Sequence, residues 1–219
     1  HADRVRGVDF NPNGNRVVSC GARDVILWDA TNGHKLLEMQ GHTRTVTAVC
    51  FNIDGSQIAS SSEDGTIRLW NASTGKFISS LQGHGGSVNH LQFASDGQRL
   101  ISGSNDRSIK LWDCATGAVL QTFKGHAGSV FSIALSPDGK QVASASSDKT
   151  VKLWDVTSGK LSHTLRGHTE AVYSVAFTLD SELLISGGND HVMIVWDSQN
   201  GTDLRKLVGH SGNIVSLSV

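Results

Sequence analysis

The sequence has little proline, cysteine or tyrosine: two, three and one of 219 residues. Cys20, Cys50 and Cys114 are widely spaced and odd in number, and no CxxC pair occurs. This argues against a disulfide framework or a zinc site and fits a reducing compartment, cytoplasmic or nuclear. No apolar run approaches the ~18 residues of a membrane-spanning helix. No signal-peptide pattern is visible. The chain begins with His rather than Met, so it is expected to be a cut or processed piece. Neither charge sign dominates: 19 Lys and Arg against 20 Asp and Glu give a formal net charge of −1. Binding to nucleic acid or a membrane by bulk charge is therefore not expected. There is no P-loop, dinucleotide fingerprint or HExxH, so no cofactor and no metal are expected.

Glycine, by contrast, is abundant at 24 residues, with 38% hydrophobic residues. That suits many short strands joined by glycine turns. The five tryptophans, Trp28, Trp70, Trp112, Trp154 and Trp196, are each 42 residues apart. Gly-His pairs at 41–42, 83–84, 125–126, 167–168 and 209–210 keep the same period, and His1 reads as half of another. One unit shows the local pattern. Runs at 129–136, 140–146, 150–155 and 160–166 alternate polar and apolar residues, with turns "PDG", "SDK" and "VTSG" between them. This predicts four antiparallel strands per unit. Gly55, Gly97 and Gly139 follow Asp at tight turns that favour positive φ. The fifth unit has "TLDSE" (178–182) there instead, which predicts a turn of different shape.

A lone four-stranded sheet cannot bury both faces, and stacking such sheets about an axis solves this. The G-H, D-G and W-D signatures at this period resemble those of the WD-repeat (WD40) β-propellers. Four units end in Trp-Asp and the second in Trp70-Asn71. The resemblance covers essentially the whole chain. The expected fold is all-β: a single propeller region, 1–219, of four-stranded antiparallel blades. The blades fall at about 1–40, 41–82, 83–124, 125–166 and 167–208, with 209–219 as the first strand of a further blade. The resemblance implies a larger, commonly seven-bladed ring. An incomplete ring exposes blade faces and invites self-association.

Within the repeat lies a Ser, His and Asp set that resembles a hydrolase triad. It occurs as His42, Ser60, Asp64 with Trp70; His84, Ser102, Asp106 with Trp112; His126, Ser144, Asp148 with Trp154; and His168, Ser186, Asp190 with Trp196. The intervals are 18, 4 and 6 in every copy. An active site is needed once, so four copies point to architecture. The donor and acceptor types of these side chains allow a chain Trp–Ser–His–Asp in which each is satisfied. The resemblance implies the same structural tetrad. The first unit departs from it: its loop is one residue shorter, and Arg23 stands where the other units place Asp.

The resemblance also implies partner binding on the face around the central channel, by residues three and five after His and one before Asp. These are Arg4, Arg6 and nearby Arg23; Thr45, Thr47 and Glu63; Ser87, Asn89 and Asn105; Ser129, Phe131 and Ser147; Ala171, Tyr173 and Asn189. Phe131 and Tyr173 would form an aromatic lip and the arginines a basic patch, both typical anchors of protein interfaces. Arg68, Lys110 and Lys152 on third strands read as ordinary alternation on exposed strands. The expected function is a non-enzymatic scaffold for a protein or peptide partner. Roles implied by the resemblance are complex assembly, substrate reception for a ubiquitin ligase, or a domain of a larger signalling protein. An enzyme or a nucleic-acid binder using the channel mouth is the alternative.

Overall fold

The computed structural model describes residue 1 and residues 3–218. Twenty strands of six residues form five four-stranded antiparallel sheets. The first holds β1 (Val5–Phe10), β2 (Arg16–Gly21), β3 (Asp24–Asp29) and β4 (Lys35–Gln40). The second holds β5 (Val46–Phe51), β6 (Gln57–Ser62), β7 (Thr66–Asn71) and β8 (Phe77–Gln82). The third holds β9 (Val88–Phe93), β10 (Arg99–Ser104), β11 (Ser108–Asp113) and β12 (Val119–Lys124). The fourth holds β13 (Val130–Leu135), β14 (Gln141–Ser146), β15 (Thr150–Asp155) and β16 (Leu161–Arg166). The fifth holds β17 (Val172–Phe177), β18 (Leu183–Gly188), β19 (Val192–Asp197) and β20 (Asp203–Val208). Each sheet is a meander in chain order, as alternating runs joined by tight turns require. This is the all-β architecture of propeller blades.

Two compact units arise from packing: residues 1–104 with 111–120, and 105–110 with 121–219. In the first unit, Val18, Leu27 and Met39 of the first blade pack on Val46, Phe51 and Trp70 of the second. Ile67, Leu69 and Leu81 of the second meet Val88, Leu91 and Trp112 of the third. In the second unit, Val151, Leu153 and Leu165 pack on Val172, Phe177 and Trp196. Burial of a side chain of this size contributes roughly 1.5–3 kcal/mol, so sheet-to-sheet packing is the main source of stability.

One expectation fails here. The turn at 178–182 does not differ in shape. Ser181 takes a φ of 64°, where Gly139 has 72°. The bonds Ser181 N–H to Thr178 O (2.9 Å) and Thr178 N–H to Leu183 O (2.9 Å) reproduce those of the Gly139 turn. Residues 209–218, expected as the first strand of a further blade, carry no strand among the described residues; residue 219 lies outside the described residues. The segment still takes up inter-blade contacts. Ile214 is buried and donates its N–H to Gly188 O at 3.0 Å, and Leu217 N–H reaches Ser174 Oγ at 3.0 Å.

Candidate functional site

The repeated polar set forms as a closed chain of hydrogen bonds. In the second blade, Trp70 Nε1–H donates to Ser60 Oγ (2.8 Å), His42 Nε2 lies 2.8 Å from that oxygen, and His42 Nδ1 lies 2.9 Å from Asp64. The fourth blade repeats this with Trp154, Ser144, His126 and Asp148 at 2.9, 2.8 and 2.7 Å. The fifth uses Trp196, Ser186, His168 and Asp190 at 2.8, 2.7 and 2.8 Å. In the third, Trp112 and His84 both bond Ser102 at 2.8 Å. Its Asp106 accepts the N–H and Oγ–H of Ser108. Ser60, Ser102, Ser144 and Ser186 are all 0% exposed. A hydroxyl sealed from solvent and committed to two partners cannot meet a substrate, so this geometry binds strand to strand.

The aspartates are the electrostatic keystones. Burial alone would raise the Asp64 carboxyl. Bonds from the Thr66 hydroxyl and N–H, the Thr43 N–H and His42 outweigh it and hold the group well below the usual carboxylate range. Asp148 and Asp190 are shifted downward in the same way, against burial, by their histidines and neighbouring N–H groups. Burial lowers His42, partly opposed by Asp64, so its ring favours the neutral form.

The first blade breaks the pattern. His1 Nε2 and Trp28 Nε1–H both reach Ser19 Oγ at 2.7 Å, but His1 Nδ1 has no partner. The deletion explains it. Gly21 pairs directly with Asp24, leaving a two-residue turn of Ala22 and Arg23 with Ala22 at φ 47°. Asp24 is drawn into β3, and Arg23 is exposed at the tip.

The positions five after His are all single-residue bulges. The register of the first strand shifts across Arg6, Thr47, Asn89, Phe131 and Tyr173. A bulge re-aims one side chain out of the alternation, so each blade presents one such residue. The positions three after His and one before Asp are joined by a backbone bond: Glu63 N–H to Thr45 O (2.9 Å), Ser147 N–H to Ser129 O (3.0 Å), Asn189 N–H to Ala171 O (2.8 Å). In the second unit, the half-buried rings of Phe131 and Tyr173 are tilted at 48° with centroids 5.4 Å apart. In the first unit, Arg4, Arg6 and Arg23 are exposed. Asn105 is exposed too, on the turn after β10.

Sequence reasoning missed Asp9, whose Oδ2 accepts the N–H of Phe51 on the neighbouring blade at 2.8 Å. Burial raises its carboxyl, against the bonds from Phe51 and Phe10. Lys152 also departs from expectation. It is buried, not exposed, and its Nζ donates to Thr164 Oγ1 at 2.8 Å. Arg68 lies over the rings of Trp70 and Phe77. The three cysteines are free. Among the described residues, no cluster of His, Cys, Asp and Glu has the arrangement of a metal site.

Comparison with known proteins gives a consistent pattern. The WD domain, G-beta repeat, matches residues 1–29, 33–71, 75–113, 117–155 and 159–197. The chain is similar to the target of rapamycin complex subunit wat1 of Schizosaccharomyces pombe, at 37% identity over 71 residues, 31% of this chain and 23% of that protein. It is similar to the U3 small nucleolar RNA-associated protein 15 homolog of Gallus gallus, at 36% over 69 residues, 31% of this chain and 13% of that protein. The Homo sapiens counterpart is 35% identical over 69 residues, with the same coverage of both chains. The matched stretches thus span less than a quarter of these relatives.

Proposed function

The chain belongs to the WD-repeat family, and from that premise we propose that it is a non-catalytic scaffold for a protein or peptide partner. The observation that carries this is the bulge residue presented by each blade, above all the paired Phe131 and Tyr173. A bulge spends a ladder position to aim one side chain, and aromatic pairs of this kind anchor interfaces. Asn189 and Ser147, bonded through their N–H groups to Ala171 and Ser129 two residues before the rings, would add polar contacts. Arg4, Arg6 and Arg23 form a second, basic patch; Glu63, Asn89 and Asn105 contribute polar contacts of their own. Two relatives are named as a complex subunit and as RNA-associated. These names support a role for this chain in assembling a larger complex, in the cytoplasm or the nucleus, with substrate reception for a ubiquitin ligase as a narrower form of the proposal. Recovery of partners on the full-length parent, identified by mass spectrometry, tests the reading. Phe131→Ala with Tyr173→Ala should reduce recovery while leaving the thermal melt in place. Unchanged recovery removes the aromatic pair from the interface.

The relatives' RNA-associated name favours a second reading, nucleic-acid binding. It requires affinity that falls steeply with salt. The faces of the first and fifth blades also favour self-association. Val8 and Phe10 are 66% and 62% exposed, where their equivalents Val49 and Phe51 are buried, and Leu207 is exposed where Leu165 is buried. Concentration-dependent mass in solution checks this.

A further inference from the structure

Arg4, Arg6 and Arg23 have no cationic counterpart in any other blade: the counterparts of Arg4 and Arg6 are neutral, and Arg23 stands where the other blades carry Asp64, Asp106, Asp148 and Asp190. Local structure gathers them. Val5 pairs with Gly21, which sets Arg4 beside the turn that carries Arg23. Arg6 is the bulged residue of the same strand. All three side chains are exposed, and among the described residues none has an ion pair or side-chain hydrogen bond. Asp3 accepts the backbone N–H of Arg4 at 2.7 Å, and among the described residues neither Asp3 nor Asp24 forms an ion pair with these arginines. The corner has also lost a carboxylate. Where Asp64, Asp148 and Asp190 face a His Nδ1 in their blades, the first blade has a cation at the aligned position and a His1 Nδ1 without a partner.

We propose that this corner docks an acidic segment of a partner protein, its carboxylates or phosphates held by Arg4, Arg6 and Arg23. The inference rests on the scaffold reading above and names the chemistry of one contact. A guanidinium presents a planar fork that matches a carboxylate or phosphate two bonds at a time, and an exposed, unpaired one has no internal bond to break first. Nucleic acid fits less well. A phosphate backbone needs cations along a track, whereas these three arginines belong to one blade, the corresponding turn of the next blade carries Glu63 and Asp64, and the chain's net charge is −1.

The test uses fluorescence anisotropy with four labelled probes on the full chain: a glutamate-run peptide, its glutamine counterpart, a phosphoserine peptide and oligouridine. The glutamate or phosphoserine peptide should bind and the glutamine peptide should not; the stronger of the two acidic probes identifies the source of the anion. Arg6→Glu and Arg23→Glu should each weaken binding about tenfold or more, the scale of one charge-assisted hydrogen bond. Circular dichroism melts should match the parent. Equal binding of the glutamine peptide, indifference to both reversals, or tighter binding of oligouridine overturns the proposal. Any of these with partner recovery through Phe131 and Tyr173 intact leaves the scaffold reading standing.

Discussion

The carboxylate of Asp9 accepts the backbone N–H of Phe51 across two blades at 2.8 Å. At that place in the repeat the other blades carry Cys50, Gln92, Ala134 and Ala176. The bond satisfies an N–H but keeps a charge out of water, and burial raises the carboxyl. A raised folded value means that the native state holds the proton more tightly than the unfolded chain. The stability Asp9 contributes is then full below the unfolded value of about 3.9 and lost as pH rises through the folded one. Asp9→Asn keeps an acceptor and removes the charge. It should raise the melting temperature at neutral pH, with the gain fading toward about pH 4. Asp9→Ala strands the Phe51 N–H and should cost about 1–3 kcal/mol. An Asn variant less stable than the parent across the whole range contradicts this account.

Ser144 is the junction of the fourth tetrad, so its loss strands two groups at once. Ser144→Ala leaves Trp154 Nε1–H and His126 Nε2 buried without partners. Each stranded group costs about 1–3 kcal/mol. Asp148→Ala removes the acceptor for His126, the Ala127 N–H and Thr150. Both variants should lower the urea midpoint clearly, as a network is stabilising only when complete. The first blade supplies the control. His1 already lacks a carboxylate, so Arg23→Ala should leave the midpoint nearly unchanged. A comparable drop there means the Asp position is not what holds the blade.

Acid should act in two stages. Burial lowers His42, so its contribution is present above the unfolded value of about 6.5 and lost as pH falls through the folded one. The aspartates Asp64, Asp148 and Asp190 are also lowered. Their contribution is present above about 3.9 and lost as pH falls through their folded values. Urea midpoints between pH 7 and pH 3 should fall gently at first and steeply below about pH 4. A midpoint that does not change over that range rules the tetrads out as the acid-labile element.

How far the sequence alone reveals this depends on whether a feature repeats. The tetrads were legible because four residue types recur at fixed offsets, and Ser60 or His126 alone says nothing. The bulges at Phe131 and Tyr173 were not. A bulge is a mismatch between two strands, and one strand's alternation does not show it. Asp9 was hidden for a related reason. A single Asp in an alternating strand reads as surface, and only the neighbouring blade's Phe51 N–H gives it a role. The alternating pattern at 209–218 shows a strand's periodicity but not its pairing, and Ile214 is buried there without a ladder.

Ser181 shows the same limit on a single turn. Its φ of 64° copies the 72° of Gly139 because the hydrogen bonds of the turn dictate the backbone whatever the side chain. A non-glycine residue in the left-handed region costs about 1–2 kcal/mol. Glycine removes that cost but adds freedom to the unfolded chain, worth about 0.4–1 kcal/mol. The Ser181 hydroxyl offers little in return, a 3.3 Å bond from the Asp138 N–H. Ser181→Gly should therefore stabilise by somewhat under about 1 kcal/mol, the difference of those two terms. Ser181→Ala keeps the strain, loses the weak bond and should rank last. Denaturation of the three proteins side by side gives the order. Alanine ranking above glycine means that the backbone strain is not the controlling term at this turn.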